Sequence, residues 1–197
     1  GAWLAAALSA FLFFLSAKML NPFCFKLSFV ALFFLCTYHY VKRFSFLCHF
    51  VLGFVMSMAP LGGWVGVTGA WAWQPIFLAL AVLFWVAGFD ILYSLQDLEF
   101  DRLYGLHSVP VRFGEKEALK ISMACHVATL LFLVVFGFLT HRGIIYAAGL
   151  LLVAVLLKIE HTLVREGGLS KINTAFFTIN GWVGVLVLVF TYLDSVR

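Results

Sequence analysis

The segment PIFLALAVLFWVAGFDILYSLQDLEFD, residues 75–101, contains the two features that determine how this chain folds and where it acts. Its first part, residues 75–89, carries no charged side chain and consists almost entirely of apolar residues. Crossing the hydrocarbon core of a membrane as a helix takes about 20 predominantly apolar residues, so this run predicts a spanning helix near 75–96. Its second part, residues 90–101, carries four acidic side chains and indicates a functional end of that helix.

The composition extends the membrane interpretation from this segment to all 197 residues. Hydrophobic residues make up 64% of the chain and charged residues only 11%, whereas soluble domains carry roughly 25% charged and 45–50% apolar residues. A water-soluble fold of this length could not bury so much apolar surface, so the lipid bilayer must cover the excess. We therefore predict an all-α, polytopic transmembrane helical bundle that forms a single domain over residues 1–197.

Seven apolar runs are long enough to cross the bilayer, so about seven helices are predicted. The third run contains Pro60 and the Gly62-Gly63 pair, which predict a kink or a break because proline removes a backbone hydrogen bond. Neighbouring helices can satisfy the carbonyl groups that such a break frees. The predicted spans lie near 2–20, 23–41, 45–70, 75–96, 118–139, 143–160 and 173–193.

The distribution of positive charge predicts the orientation of the bundle. If successive loops alternate between the two sides, nine basic residues fall on one side and four on the other. Cytoplasmic loops are the ones rich in Lys and Arg, so the richer side, which also holds the acidic helix end, is predicted to face the cytoplasm from a bacterial inner membrane. The nine are Lys42, Arg43, Arg102, Arg112, Lys116, Lys120, Lys158, Arg165 and Lys171, and the four are Lys18, Lys26, Arg142 and Arg197.

The remaining polar residues are interpreted as structural. The net charge of +4 does not indicate a nucleic-acid partner, because no run of Lys and Arg is longer than the Lys42-Arg43 pair. None of the four cysteines has a spacing suited to zinc, and they are interpreted as small buried hydrophobes. The residues assigned to helix packing, the membrane interface or interhelical hydrogen bonds are His39, His49, His126, Asn173 and Asn180.

The acidic stretch has a spacing that brings three carboxylates together if the helix continues through it. Asp97 lies seven residues after Asp90, and Asp101 lies eleven residues after it. At 3.6 residues per turn, both positions return to within about 20° of the direction of Asp90. Tyr93 lies on the flank of this stripe, whereas Glu99 points to the opposite side and is left out of the site. The spacing therefore predicts one face that carries three aspartates.

Carboxylates that share a face repel one another unless a cation neutralises them. Mg²⁺ is suited to this task, because it takes a few carboxylates, keeps several waters and binds substrate phosphates. A solvated helix end with scattered acidic residues is the alternative, although three of the four aspartates of the chain share this one stripe. The pattern therefore predicts an Mg²⁺ site at Asp90, Asp97 and Asp101.

The pattern DxxYxxxDxxxD over residues 90–101 resembles the second aspartate-rich motif of the UbiA family of intramembrane prenyltransferases. The segment YHYVKR, residues 38–43, is similar to the YPxxKR segment of that family, with His39 in place of the proline. The segments PLGGW, residues 60–64, and GLHSVP, residues 105–110, fall where the family has comparable segments. The GLHS form resembles the branch that acts in quinone synthesis, including members of the menaquinone pathway.

The resemblance implies an activity and a set of site residues. The activity would be Mg²⁺-dependent transfer of a polyprenyl group from a polyprenyl diphosphate to an aromatic acceptor, such as 4-hydroxybenzoate or dihydroxynaphthoate, in ubiquinone or menaquinone biosynthesis. Metal coordination would stabilise the negative charge on the leaving diphosphate, so that the allylic C–O bond can ionise. The implied catalytic residues are Asp90, Tyr93, Asp97 and Asp101, of which the three aspartates are also the implied metal ligands. The implied substrate-binding residues are Tyr38, Lys42, Arg43, His107 and Ser108.

The resemblance also implies a longer parent fold. Members of the family have about nine helices and two aspartate motifs, the first of the NDxxDxxxD type on the second helix. This sequence has aspartate only at positions 90, 97, 101 and 194, so that motif is not among its residues. We therefore expect these residues to lack the first two helices, and we expect the 197-residue chain to be inactive alone because half of the metal–diphosphate clamp is missing.

Two other classes of function remain open. A transporter or channel subunit also tolerates acidic residues in the membrane, although transporters typically show broken helices in two repeated halves, and the sequence contains no such pair. The CDP-alcohol phosphotransferases are a second enzyme class with aspartates on membrane helices. Their pattern requires an Asp-Gly pair followed by Ala-Arg, and no glycine follows Asp90.

Overall fold

A computed structural model describes residues 1–167 and 175–196 of the chain, and the side chains of residues 1–166 and 177–196. These residues form helices and turns and contain no strand, which confirms the prediction of an all-α fold. Within the described ranges, seven helices are long and apolar enough to cross a membrane. The number of predicted spans is therefore confirmed, and their positions agree to within several residues at each end.

The long helices are α1 (Ala2–Leu20), α2 (Pro22–Thr37), α3 (Cys48–Thr68), α4 (Gln74–Tyr93), α7 (Glu115–Leu139), α8 (Ile144–Gly167) and α9 (Asn180–Ser195). Two short helices, α5 (Leu98–Leu103) and α6 (Val109–Phe113), lie between α4 and α7. A 3₁₀ turn (Tyr38–Arg43) extends α2, and a π-helical turn (Ala175–Ile179) precedes α9.

The turn between α1 and α2 shows how a single polar residue fixes a helix boundary. The side-chain oxygen of Asn21 accepts a hydrogen bond from the backbone N–H of Cys24 at 2.8 Å and caps α2. Pro22 occupies the first position of α2, where its missing N–H costs no helical hydrogen bond. The amide group of Asn21 donates to the carbonyl of Val65 at 2.8 Å, so the same residue joins this turn to α3.

Helix α3 continues through Pro60, so of the kink or break predicted at this point the break does not occur. Proline removes one backbone hydrogen bond, whereas unwinding the helix in an apolar surrounding would leave further peptide groups without partners. The helix ends instead at Gly69, which has a φ of 67° and adopts the left-handed conformation that glycine tolerates without strain.

Helix α4 is the central helix of the bundle and packs along both α3 and α7. Glycines permit this close approach, since a Cβ atom at Gly53 would collide with the carbonyl oxygen of Leu83. In the same way, a Cβ atom at Gly88 would collide with the ring of His126, which confirms the packing role predicted for that histidine. Small residues at such contacts are the usual means by which membrane helices pack without a hydrophobic driving force.

Helices α8 and α9 are joined to α4 by side-chain hydrogen bonds inside the bundle. The amide nitrogen of Asn180 donates to Oε1 of Glu160 at 2.7 Å, and Nε1 of Trp85 donates to the amide oxygen of Asn180 at 2.8 Å. The interhelical role predicted for Asn180 is therefore confirmed, while Asn173 lies outside the described residues.

The cysteines differ in their surroundings. Cys24, Cys48 and Cys125 are buried, as predicted for small apolar side chains, but Cys36 is exposed on α2. The interpretation of Cys36 as a buried residue is wrong, because α2 buries little besides Cys24 and Ser28 and turns most of its surface outward.

Candidate active site

Four elements meet at one end of the bundle and enclose a cleft of about 210 Å³. They are the 3₁₀ turn that follows α2, the first turns of α3, the last turns of α4 and the turn that leads to α5. Five of the predicted site residues line this cleft, namely Tyr38, Lys42, Asp90, Tyr93 and Asp97. The structure therefore brings two segments that are distant in sequence to one place.

The acidic stretch is not one continuous helix. Helix α4 ends at Tyr93, and Asp97 directly precedes α5 after a series of tight turns. The hydroxyl of Ser94 donates to the carbonyl of Ile91 at 2.8 Å, and such side-chain bonds compete with the helical pattern. The prediction of an unbroken helix from Asp90 to Asp101 is therefore wrong, because the tighter winding changes the direction of every side chain that follows.

Lys42 forms the cationic centre of the site. Its Nζ lies 2.9 Å from Oδ1 of Asp101 and 3.5 Å from Oδ2 of Asp97. The Asp101 side chain is fully buried, and apart from this ion pair its oxygens have no hydrogen-bond partner among the described residues. The Asp97 side chain is 47% exposed and lines the cleft. Lys42 therefore compensates one buried carboxylate while it remains next to an accessible one.

Asp90 is paired with a residue that sequence reasoning did not assign to the site. Nδ1 of His49 lies 2.7 Å from Oδ2 of Asp90, and the backbone N–H of Val109 donates to Nε2 of His49 at 3.2 Å. His49 is buried between helices, as predicted, but it also lines the cleft. No spacing or motif in the sequence connects position 49 with position 90, so only the packing of α3 against α4 reveals the pair.

Three of the predicted substrate-binding residues lie beside the cleft but do not line it. Arg43 is exposed, and its guanidinium carbon lies 5.6 Å from the ring centre of Tyr40. His107 and Ser108 line a second cavity of about 470 Å³. Ser108 is buried there as the cap of α6, with its hydroxyl accepting from the N–H of Val111. Ser108 thus has a structural role as the N-terminal cap of α6.

The donor set fits Mg²⁺ only in part. Among the residues whose side chains are described, no three His, Cys, Asp or Glu side chains lie close enough to hold a metal ion, so the predicted set of three aspartate ligands is not formed. Mg²⁺ requires only one or two protein carboxylates, however, because water and substrate phosphates complete its coordination. The accessible carboxylate of Asp97 meets that smaller requirement, and Asp90 faces the same cleft.

Comparison with known proteins places this arrangement in context. The model of the UbiA prenyltransferase family matches residues 1–182. The curated 4-hydroxybenzoate octaprenyltransferases of Nitrosospira multiformis and Vibrio campbellii are 31% and 29% identical to this chain over 97% and 96% of its length. The chain spans 65% of the length of each of these two relatives.

Solved structures with the same fold include the following two proteins. A UbiA homolog from Aeropyrum pernix K1 superposes with a TM-score of 0.88 at 30% identity, over 98% of this chain and 72% of that one. A digeranylgeranylglyceryl phosphate synthase superposes with a TM-score of 0.75 at 19% identity, over 98% of this chain and 68% of that one. At the latter identity the likeness concerns the fold alone.

Proposed function

Since this chain belongs to the UbiA prenyltransferase family, we propose that its full-length gene product transfers a polyprenyl group from a polyprenyl diphosphate to an aromatic acceptor in quinone biosynthesis. One observation carries the proposal. A single cleft is lined by Lys42 with its partner Asp97 and by Asp90 with its partner His49. We assign the Lys42 end of this cleft to the diphosphate leaving group and the Asp90 end to a polar aromatic ring.

The diphosphate end is assigned to Lys42 and Asp97. When bound, Mg²⁺ would supply electrostatic stabilisation for the departing diphosphate, and Asp97 would be its ligand from this chain. The ammonium group of Lys42 would contact phosphate oxygens, while the buried Asp101 holds the lysine in place. The aromatic rings of Tyr38 and Tyr93, which line the cleft, would face the allylic cation.

The acceptor end is assigned to Asp90. Its side chain is 25% exposed and lines the cleft, so it can accept a hydrogen bond from a hydroxyl group of the acceptor. The names of the curated relatives favour 4-hydroxybenzoate, and hence ubiquinone biosynthesis. Dihydroxynaphthoate, and hence menaquinone biosynthesis, is the second candidate.

The cleft is proposed to open toward the cytoplasm of a bacterial inner membrane. The backbone N–H of His107 donates to the carbonyl of Lys42 at 2.8 Å, so the loops that contain these residues lie at the same end of the bundle. These loops belong to the set rich in Lys and Arg, which the positive-inside rule places in the cytoplasm.

The proposal is tested with the full-length gene product in lipid nanodiscs. Transfer from a labelled polyprenyl diphosphate is measured with 4-hydroxybenzoate and with dihydroxynaphthoate, with Mg²⁺ and with EDTA. We expect product with one of these acceptors, no product with EDTA, and a fall in kcat of about a hundredfold or more in Asp97→Asn. Glu99→Gln is the matched control, because Glu99 is an exposed acid two residues after Asp97 and its replacement should not affect the rate.

The possible results separate the alternatives. An Asp97→Asn variant with the wild-type rate would contradict the assignment of the diphosphate end. Mg²⁺-dependent binding of the polyprenyl diphosphate without product would support this diphosphate as the donor and show that neither tested ring is the acceptor. Uptake of a solute into proteoliposomes without any turnover would favour the transporter alternative.

A further inference from the structure

We infer that His49 is a positioning residue of the prenyl-transfer site, which holds the carboxylate of Asp90 in one orientation through hydrogen bonds at both ring nitrogens. This inference rests on the proposed function, because His49 would act in the same cleft. His49 would not contact the substrates; it would orient the carboxylate of Asp90, which does.

The hydrogen-bond partners of His49 fix its tautomer. The backbone N–H of Val109 can only donate, so Nε2 of His49, at 3.2 Å, must accept and carries no proton. The ring proton therefore sits on Nδ1 and is donated to Oδ2 of Asp90 at 2.7 Å. The ring is neutral in this arrangement, and one oxygen of Asp90 is occupied while the other remains for a substrate.

Burial makes this orientation rigid. His49 is 2% exposed and Val109 is 1% exposed. A rotation of the imidazole would leave the buried N–H of Val109 without its partner, and a buried unpaired N–H group costs free energy comparable with a lost hydrogen bond. His49 therefore joins three elements at one point, namely the start of α3, the end of α4 and the start of α6.

The same arrangement explains what the GLHSVP segment contributes to the site. Two of its backbone N–H groups, two residues apart, bond to residues that line the cleft: the N–H of His107 donates to the carbonyl of Lys42, and the N–H of Val109 donates to His49. The segment therefore connects Lys42 with His49 through its backbone, while the side chains of His107 and Ser108 line a different cavity.

The experiment compares three substitutions of His49 in the full-length gene product. In His49→Asn the side-chain amide lies near the position of Nδ1 and can still donate to Asp90. In His49→Gln the amide extends toward the position of Nε2, and His49→Leu provides neither contact. Steady-state transfer is measured for each, with KM determined separately for the aromatic acceptor and for the polyprenyl diphosphate.

We expect His49→Leu and His49→Gln to lower kcat/KM for the acceptor by about tenfold to a hundredfold, which is the usual effect of removing a hydrogen bond to a charged group. His49→Asn should keep most of the wild-type kcat/KM for the acceptor. The KM for the diphosphate should change little in all three variants. A role in folding alone would lower the yield and the thermal stability of all three without separating the two KM values.

The outcomes distinguish this inference from the function on which it rests. Wild-type protein without transfer activity would overturn the proposed function and this inference together. Active wild-type protein with equal kcat/KM for the acceptor in His49→Asn and His49→Gln would overturn the inference alone. That comparison remains decisive if His49→Leu fails to fold.

Discussion

At the scale of single residues, the chain itself compensates the buried negative charge next to the cleft. The Asp101 carboxylate is completely buried, and Lys42 is its ion-pair partner at 2.9 Å. The lysine side chain is 30% exposed, so it connects the buried acid to the accessible surface of the cleft. Lys42 therefore contributes to stability as well as to the proposed binding of diphosphate.

Replacement of Lys42 should show its contribution to the stability of the fold. In Lys42→Met the charge on Asp101 loses its partner, and breaking a buried ion pair typically costs about 3–5 kcal/mol; we expect the lower part of this range because solvent screens the half-buried lysine. The measurement is thermal unfolding in detergent, by circular dichroism or fluorescence. The double variant Lys42→Met with Asp101→Asn should recover part of the lost stability.

Arg43→Met provides the matched control for this substitution. Arg43 is the adjacent basic residue, but it is exposed and has no ion-pair partner among the described residues. We expect it to unfold at nearly the wild-type temperature. Equal destabilisation by Lys42→Met and Arg43→Met would show that the Lys42–Asp101 pair does not stabilise the fold.

The sequence predicts the residues of the cleft unevenly. The spacing of Asp90, Tyr93 and Asp97 is local, so helical periodicity and the motif were enough to locate them. The bond between His49 and Asp90 joins positions 41 residues apart, and it depends on how two helices pack. Hydrophobic patterns predict that these helices exist but not which of their faces meet.

At the scale of helices and turns, the end of α4 determines the shape of the site. The apolar run predicts the helix but not where it ends. At its end the hydroxyl of Ser94 donates to the carbonyl of Ile91, and the backbone changes there to tighter turns. Asp97 thereby directly precedes a new short helix, α5, while Asp101 points into the protein toward Lys42. Helical periodicity applies only along one continuous helix, so it does not predict the end of α4 and the start of α5 within residues 90–101.

The packing of α3 against α4 gives a second prediction at this scale. Gly53→Ala places a methyl group against the carbonyl oxygen of Leu83, so the two helices must separate. We expect lower thermal stability and lower transfer activity, because α3 carries His49 and α4 carries Asp90. Overpacking of this kind typically costs about 1–3 kcal/mol.

The same helix supplies the control. A methyl group added at Gly62 has no atom within 4 Å in the described part of the chain. Gly62→Ala should leave activity unchanged and raise stability by about 0.5–1 kcal/mol, since alanine restricts the unfolded chain more than glycine does. If Gly53→Ala is as stable and active as Gly62→Ala, the close contact between α3 and α4 is not needed for the site.

At the scale of the whole molecule, polar side chains inside the bundle connect helices that are far apart in sequence. Asn180 links Trp85 on α4 with Glu160 on α8, and Nδ1 of His126 on α7 lies 3.0 Å from Nε2 of His161 on α8. Interhelical hydrogen bonds in membrane proteins contribute only about 0.6 kcal/mol each on average. Their main effect here is to specify which helices are neighbours, which the apolar pattern of each helix leaves undetermined.

The proposed orientation of the whole bundle rests on the distribution of Lys and Arg, and cysteine labelling can test it. Glu117 lies in the first turn of α7, next to the segment that borders the site, whereas Ala70 lies in the loop between α3 and α4 at the opposite end. Both residues are exposed. Each is replaced by cysteine in a variant whose four native cysteines have been substituted and whose folding has been verified.

In intact bacterial spheroplasts, a membrane-impermeant maleimide should label Ala70→Cys, because the loop that contains Ala70 is predicted to face outward. Glu117→Cys should react only after the membrane is opened, since the side rich in Lys and Arg remains in the cytoplasm. The opposite pattern would place the cleft on the outer side of the membrane. A polyprenyl diphosphate supplied from the cytoplasm could not then reach Lys42 and Asp97, so the labelling result also bears on the source of the proposed substrate.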